Sequence, residues 1–468
     1  GTMNNLSVLA RRARDYREAR RWGESARELY ATAPPDAYLG ERVTCWVNLA
    51  LLEFEEKDLA GLTAAREALR RAREFAERNA AAVADPSGRG RVRKAAVVAY
   101  ELSVVCGAEY WEATGDIAAL EEALIAAEEG RARGLADLIS GGQPPGDSSL
   151  GDDRPTRGSR SRRSRISLRP TDPLRPPPND VPTAYVVLAA AGGGGQALIR
   201  TADRLEAVNL PRAGTSEIRR MVGRWSVEHA EARRSGSARL VRASASRRLP
   251  RLLEELGDRV VRPAADRLRE LGIVRAIVVP TRQLHLVPWA ACPIGPRRND
   301  GGDRLTFGDA FDVVTVPSLA VLDHCLRPIH ERGDTATLIV DRCLEHARVE
   351  ALLVARALRD EREIGEIRLT RSAREISSRS RLVHYSGHAE FDARRPSRSA
   401  LDPSGLPSDR LTLRSIFRRI ELPRAELVVL SGCETGLVRP DAIDSAIGLT
   451  TGFLMAGARC VVNSLWAV

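Results

Sequence analysis

Lysine is almost absent from this 468-residue chain: Lys57 and Lys94 stand alone, and arginine supplies the rest of the 72 basic residues. A net charge of +10 carried in this way looks like the coding bias of a GC-rich genome rather than a surface selected for phosphate contacts. Aromatic residues are scarce at 4%, although an apolar fraction of 43% is ample for a buried core. The seven cysteines are odd in number, scattered and free of any CxxC pair. That excludes a disulfide framework and a zinc-knuckle spacing, and it fits a reduced, cytoplasmic protein. No uncharged run has the form of a membrane span. The longest, Val181–Ile199, is broken by Gly192–Gly195 and reads as two strands and a turn. No apolar leader core precedes the polar run Arg11–Arg21.

Residues 1–140 read as helix after helix. Leu62, Ala65, Leu69, Ala72 and Ala76 recur at steps of three and four, as do Ile117, Leu120, Leu124 and Ala127. Asp58 and Asp116 stand just ahead of these two runs, where a carboxylate accepts the orphan N–H groups of a first turn. Related helices precede each of them (Trp46–Asp58 and Cys106–Asp116), so the pattern resembles degenerate tetratricopeptide repeats stacked as a solenoid. Gly141–Pro182 follows, rich in Pro, Gly, Ser and Arg and without apolar periodicity. It reads as a linker too polar to order itself. Its stretch Arg154–Arg169 holds seven arginines and no acid, the one place where a nucleic acid or other polyanion could bind.

From Thr183 the pattern becomes β-rich runs separated by helical stretches. Strands are expected at Ala184–Leu188, Gln196–Thr201, Arg275–Pro280, Asp312–Val316, Thr335–Val340, Leu382–Tyr385, Glu426–Leu430 and Cys460–Ser464, with helices at Arg248–Leu271, Arg348–Arg359 and Ser445–Ala456. Continuous apolar strands fit a sheet buried on both faces, so residues 183–468 are expected to form an α/β layer. In such sheets chemistry gathers outside the carboxyl ends of the strands.

Two segments end there with a reactive side chain. Leu382–Asp392 (LVHYSGHAEFD) presents His388, and Leu427–Gly436 (LVVLSGCETG) presents Cys433 between glycines that let the backbone turn sharply. An imidazole near a thiol favours the thiolate and later protonates a leaving amine. Taken alone, a cysteine at a strand end is more often a small buried hydrophobe. His388 also has a rival in His384, which falls inside the apolar run and reads as a buried, supporting histidine. The i,i+4 spacing of the two histidines would suit a metal only on a helix, which the surrounding Val383, Tyr385 and Gly387 argue against. Ser386 lacks the GxSxG frame of a serine hydrolase, and Gly192–Gly195 lacks the ending of a phosphate loop. No metal or cofactor is expected.

Together with Arg275–Ala291, Phe311–Leu322 and Ile447–Val468, these segments closely resemble the CHAT domain. That family is caspase-like, often joined to tetratricopeptide repeats and related to separases. Ala126–Ile139 also looks like the helix that leads into such a domain. The resemblance implies a caspase-like sheet flanked by helices over residues 183–468, preceded by an all-α helical-repeat domain. It further implies a cysteine endopeptidase with Cys433 as nucleophile and His388 as general acid/base. The backbone N–H groups of Ala389 and Cys433 would form the oxyanion hole, and Glu434, Ser464 and Trp466 would line the substrate cleft. Caspases place glycine after the histidine; here Ala389 keeps the N–H but would be strained at positive φ. The family usually continues past the Ser464–Val468 segment into a further helix and strand, so the domain reads as truncated. The expected partners are a protein substrate and a regulatory protein on the helical repeats, with no membrane. An adaptor with a vestigial dyad and a subunit of a nucleic-acid-guided complex are the alternatives.

Overall fold

The computed structural model describes the chain except residues 35–36, 57, 83–85, 140–175, 177–180, 192–193, 234–238, 297–303, 330, 360–363, 393–394, 407–408, 441–445 and 466–468. The basic stretch Arg154–Arg169 and Trp466 therefore lie outside the described residues.

The periodic N-terminal runs form α1 (Thr2–Arg12), α2 (Tyr16–Thr32), α3 (Leu39–Glu56), α4 (Leu59–Ala82), α5 (Pro86–Thr114) and α6 (Ile117–Ile139). The side chains of Asp58 and Asp116 accept the N–H groups of Gly61 (2.6 Å) and Ala118 (3.1 Å), capping α4 and α6. Small residues on the facing sides (Ala65, Ala72, Ala99 and Ala126, all buried) allow close approach of successive helices, and the region is consistent with a helical repeat.

The first sheet takes β1 (Thr183–Ala191), β2 (Gly194–Arg200), β3 (Leu205–Leu210), β4 (Arg275–Val279) and β5 (Asp312–Thr315) in the order β3-β2-β1-β4-β5. Between β3 and β4 lie α7 (Thr215–Arg233), α8 (Arg239–Leu256) and α9 (Arg262–Glu270). The helix expected at Arg248–Leu271 is thus two helices joined by a π turn, Gly257–Val261. Pro263 has no N–H for a regular ladder, and Gly257 sits so close to Pro293 that a Cβ would fall 2.1 Å from its carbonyl oxygen. Helix α7 and strand β3 carried no sequence expectation.

Strands β1 and β2 alternate, and both faces of the sheet are covered. Val186, Leu188, Ala197 and Ile199 pack on α7–α9. Tyr185, Val187, Ala189 and Leu198 pack instead on Val104, Ala108, Leu120 and Leu124 of α5 and α6. The last helix pair of the N-terminal region is therefore also a layer of the first sheet. Buried charges reinforce this seam. Glu101 on α5 pairs with Arg282 (2.6 Å), and Arg131 on α6 donates to the carbonyls of Ala127 and Pro280. Between β4 and the next sheet come α10 (Phe307–Ala310) and α11 (Leu319–Leu326). The Glu128 carboxylate of α6, fully buried, accepts the N–H groups of Leu319 (2.7 Å) and Ala320 (3.3 Å), so the helical region caps α11.

The second sheet is all parallel. It takes β6 (Thr335–Val340), β7 (Glu366–Thr370), β8 (Ser380–Ser386), β12 (Leu427–Ser431) and β15 (Cys460–Val462) in the order β15-β12-β8-β6-β7. Helix α12 (Glu345–Leu358) covers one face through Ala347 and Ala351; α13 (Leu413–Arg419) and α14 (Leu449–Ala456) cover the other through Leu413, Ile416, Leu449 and Phe453. At the carboxyl edge β9 (His388–Glu390), β10 (Ala400–Asp402) and β11 (Leu411–Thr412) form a small antiparallel sheet, and β13 (Arg439–Pro440) pairs with β14 (Ala446–Ile447). Helix α14 starts later than the expected Ser445, because Ala446 and Ile447 are drawn into β14. Ala320 and Val321 of α11 touch Leu454 of α14, which joins the two sheets. No helix among the described residues is long and apolar enough to cross a membrane.

Candidate active site

Strands β8 and β12 run side by side in parallel, with Leu382 opposite Leu427 and Ser386 opposite Ser431. The same offset sets Gly387 beside Gly432, and their contact is tight: a Cβ on Gly432 would lie 2.5 Å from the Gly387 carbonyl oxygen. The Gly387 N–H donates to the Ser431 carbonyl (3.0 Å). One residue further along each strand stand His388, exposed at the start of β9, and Cys433, half-buried at the start of a turn. The two residues singled out by sequence thus each follow a glycine, one of a contacting pair just past the ends of neighbouring strands.

The turn that holds Cys433 is built from its neighbours. Thr435 is fully buried, and its hydroxyl lies 3.0 Å from the Leu430 carbonyl and 3.2 Å from that of Gly432, while it accepts the Ser464 N–H (3.1 Å). Ser464 in turn accepts the Gly436 N–H through its carbonyl (2.7 Å). A Cβ on Gly436 would overlap Asn463, whose amide is tied to Thr450 of α14 (2.8 Å). Ser464 is therefore stapled to the cysteine turn. Glu434 follows the cysteine with φ of 57°, a left-handed backbone that costs a non-glycine residue about 1–2 kcal/mol. The strain expected beside the histidine falls beside the cysteine instead: Ala389 lies in β9 opposite Leu401 and is not among the left-handed residues.

His384 is buried, its Nε2 lying 3.0 Å from Glu350 Oε1 and 3.1 Å from Ser386 Oγ, so it and Ser386 engage each other beneath the strand ends. Glu390 pairs with Arg410, and Asp392 accepts the N–H of Arg395 (2.8 Å). Among the described residues no group of three His, Cys, Asp or Glu side chains could hold a metal ion.

Two residues here escaped the sequence reading. Asp341 directly follows the last residue of β6, the next strand over, and is buried at 2% exposure. Its Oδ2 accepts the His388 N–H (3.0 Å) and its Oδ1 the Cys343 N–H (2.7 Å). Tyr385, fully buried, donates its hydroxyl to the His388 carbonyl and accepts the Asp402 N–H (3.1 Å). Burial pushes its phenol far above the ordinary value, which keeps it protonated as a donor. Asp341 could have been found by the rule that found the other two, a polar side chain just past an apolar strand.

The cysteines sort by environment. Burial pushes the thiols of Cys106 and Cys292 up to about 12 and those of Cys45 and Cys325 up to about 11. None of the seven is in a disulfide.

Residues 250–468 match the family model of the CHAT domain, a span that takes in strands β4 and β5, the second sheet and the strand-end site. Strands β1–β3 precede the matched span but share the first sheet with β4 and β5. No curated protein matches the chain. Among solved structures, the Saccharomyces cerevisiae separase–securin complex at 3.0 Å resolution is similar at a TM-score of 0.43 and 11% identity, covering 97% of this chain and 34% of that one. The chain thus spans about a third of the length of that relative.

Proposed function

We propose that this chain is a cysteine endopeptidase acting on a protein substrate through His388 and Cys433. The observation that supports the reading is the β8–β12 register, in which Ser386 lies opposite Ser431 and His388 and Cys433 each follow two residues later at the carboxyl edge of a parallel sheet. The Cys433 thiolate attacks the scissile carbonyl carbon, forming a C–S bond and an oxyanion. Backbone N–H groups of Ala389 and Cys433 serve as its donors, one such donor being worth about 2.7–4 kcal/mol. Collapse breaks the C–N bond as the His388 imidazolium protonates the leaving amine. Water then attacks the thioester while His388 takes its proton. The C–S bond breaks, releasing the carboxyl product and restoring the dyad. Glu434 and Ser464, beside the nucleophile, are assigned to the cleft wall.

The helical repeats are the site for a regulatory protein. Their physical continuity with the first sheet, and the Glu128 cap on α11, support transmission towards α14 and the cysteine turn. A cytoplasmic setting accords with seven cysteines and no disulfide. The test is the appearance of new protein N-termini in a cell lysate exposed to the chain. Cleavage is expected to vanish in Cys433→Ala and His388→Ala while both variants keep the wild-type circular dichroism. Cleavage retained by either one rejects the reading.

A further inference from the structure

His388 is exposed and sits on a three-residue strand, so its own packing does little to hold it. Its main chain is nevertheless gripped on both sides by buried groups. The Asp341 carboxylate takes the N–H, and the Tyr385 hydroxyl gives to the carbonyl. The Asp341 N–H also donates to the Ser386 carbonyl (2.9 Å), extending the β6–β8 ladder by one bond up to the histidine segment. Gly387 lies between the two grips: a Cβ there would meet the Tyr385 hydroxyl at 2.8 Å and the Asp341 Cβ at 2.9 Å. A carboxylate accepting two backbone N–H groups makes charge-assisted bonds, stronger than neutral ones. Displacement of a catalytic group by about 1 Å costs about a hundredfold in rate.

From this arrangement we infer that Asp341 is a positioning residue for His388, acting through the histidine's main chain with Tyr385 as its counterpart. The inference rests on the reading of His388 as the acid/base of a peptidase. Three strand ends, those of β6, β8 and β12, then serve one site, the first through an acid that never touches substrate.

The test uses the full chain labelled with ¹⁵N-histidine, with the His388 amide signal assigned by its loss in His388→Ala. In the wild type this amide is expected to resist hydrogen exchange despite the residue's exposure. Asp341→Asn, which keeps the side-chain shape but replaces one acceptor oxygen by a donor group, should lose about tenfold of that protection. Asp341→Ala should lose at least as much. On the most rapidly cleaved lysate protein, Asp341→Asn and Tyr385→Phe should each lower kcat substantially, towards the hundredfold limit of misplacement, with KM within about twofold. Asp341→Asn that folds and keeps wild-type kcat, or that raises KM alone, overturns the inference. So does unchanged exchange at His388. If the wild type cleaves nothing, the peptidase reading fails by itself. The exchange measurement then decides the positioning role: lost protection in Asp341→Asn supports it and equal protection rejects it. Should Asp341→Ala fail to fold, Asp341→Asn and Tyr385→Phe carry the test.

Discussion

Gly432 and Gly387 face each other across the two central strands of the second sheet, and a single added Cβ at Gly432 would lie 2.5 Å from the Gly387 carbonyl oxygen. Neither backbone can yield, since the Gly387 N–H is bonded to Ser431 and Gly432 leads directly into the cysteine turn. Gly432→Ala is therefore expected to cost about 1–3 kcal/mol of stability, as overpacking against backbone does. It should also reduce peptidase activity well beyond that, by spreading β8 from β12. Urea midpoints and cleavage rates of the purified variant check this; wild-type values for both would reject the contact.

Cysteine reactivity should separate the site from the core. Below about pH 9 the thiols of Cys45, Cys106, Cys292 and Cys325 stay protonated because burial has raised them to about 11–12. Native-state alkylation followed by mass spectrometry should leave these four unlabelled at pH 7–9. Cys433 should react faster than the exposed Cys343, and His388→Ala should slow Cys433 alone. Equal rates at Cys343 and Cys433, unaffected by the histidine, would count against the dyad.

The seam between the helical region and the first sheet should depend on Glu101 and Arg282, whose side chains are only 7% and 15% exposed. Arg282→Ala leaves the Glu101 carboxylate buried beside Thr281 without its guanidinium, at an expected cost of about 3–5 kcal/mol. Glu101→Leu combined with Arg282→Met should recover most of it, because an apolar pair removes both desolvation penalties. Denaturant titrations of the single and double variants test the difference. A loss in the double variant as large as that in Arg282→Ala contradicts it.

Stability should also fall on mild acidification through His324 of α11. Burial pushes its ring below the ordinary histidine value, and the neighbouring Arg459 and Arg327 lower it further, against an opposing effect of Asp323. Its folded value lies below the unfolded one, so the unfolded chain binds the proton first. The contribution is intact above about pH 6.5 and is lost as pH falls from there towards the folded value. His324→Leu should therefore lose less stability than the wild type between pH 7.5 and 5.5. A pH dependence identical in the two proteins would show that His324 plays no part.

The local elements were legible because their causes are local. Seven of the eight expected strands lie inside or within one residue of the observed ones, since a continuous apolar run such as Thr335–Val340 announces a strand buried on both faces. The caps at Asp58 and Asp116 follow from side chains a few residues from their acceptors. Less was visible where distant segments compete. Ala446 pairs with Pro440 instead of starting a helix, and the helix through Gly257 is broken by Pro263 and the approach of Pro293.

By itself the sequence singled out His388 and Cys433, because a reactive side chain just past an apolar strand and beside glycine is a pattern written in consecutive residues. It could not say that those two strands are neighbours, since the order β15-β12-β8-β6-β7 runs against the chain order and is set by long-range packing. Only the tertiary structure brought Asp341, 47 residues before the histidine, onto its main-chain N–H. Only the tertiary structure, too, laid α5 and α6 against the first sheet. The apolar stripes were readable, but the surface each one buries depends on which face is left uncovered once the whole chain has folded.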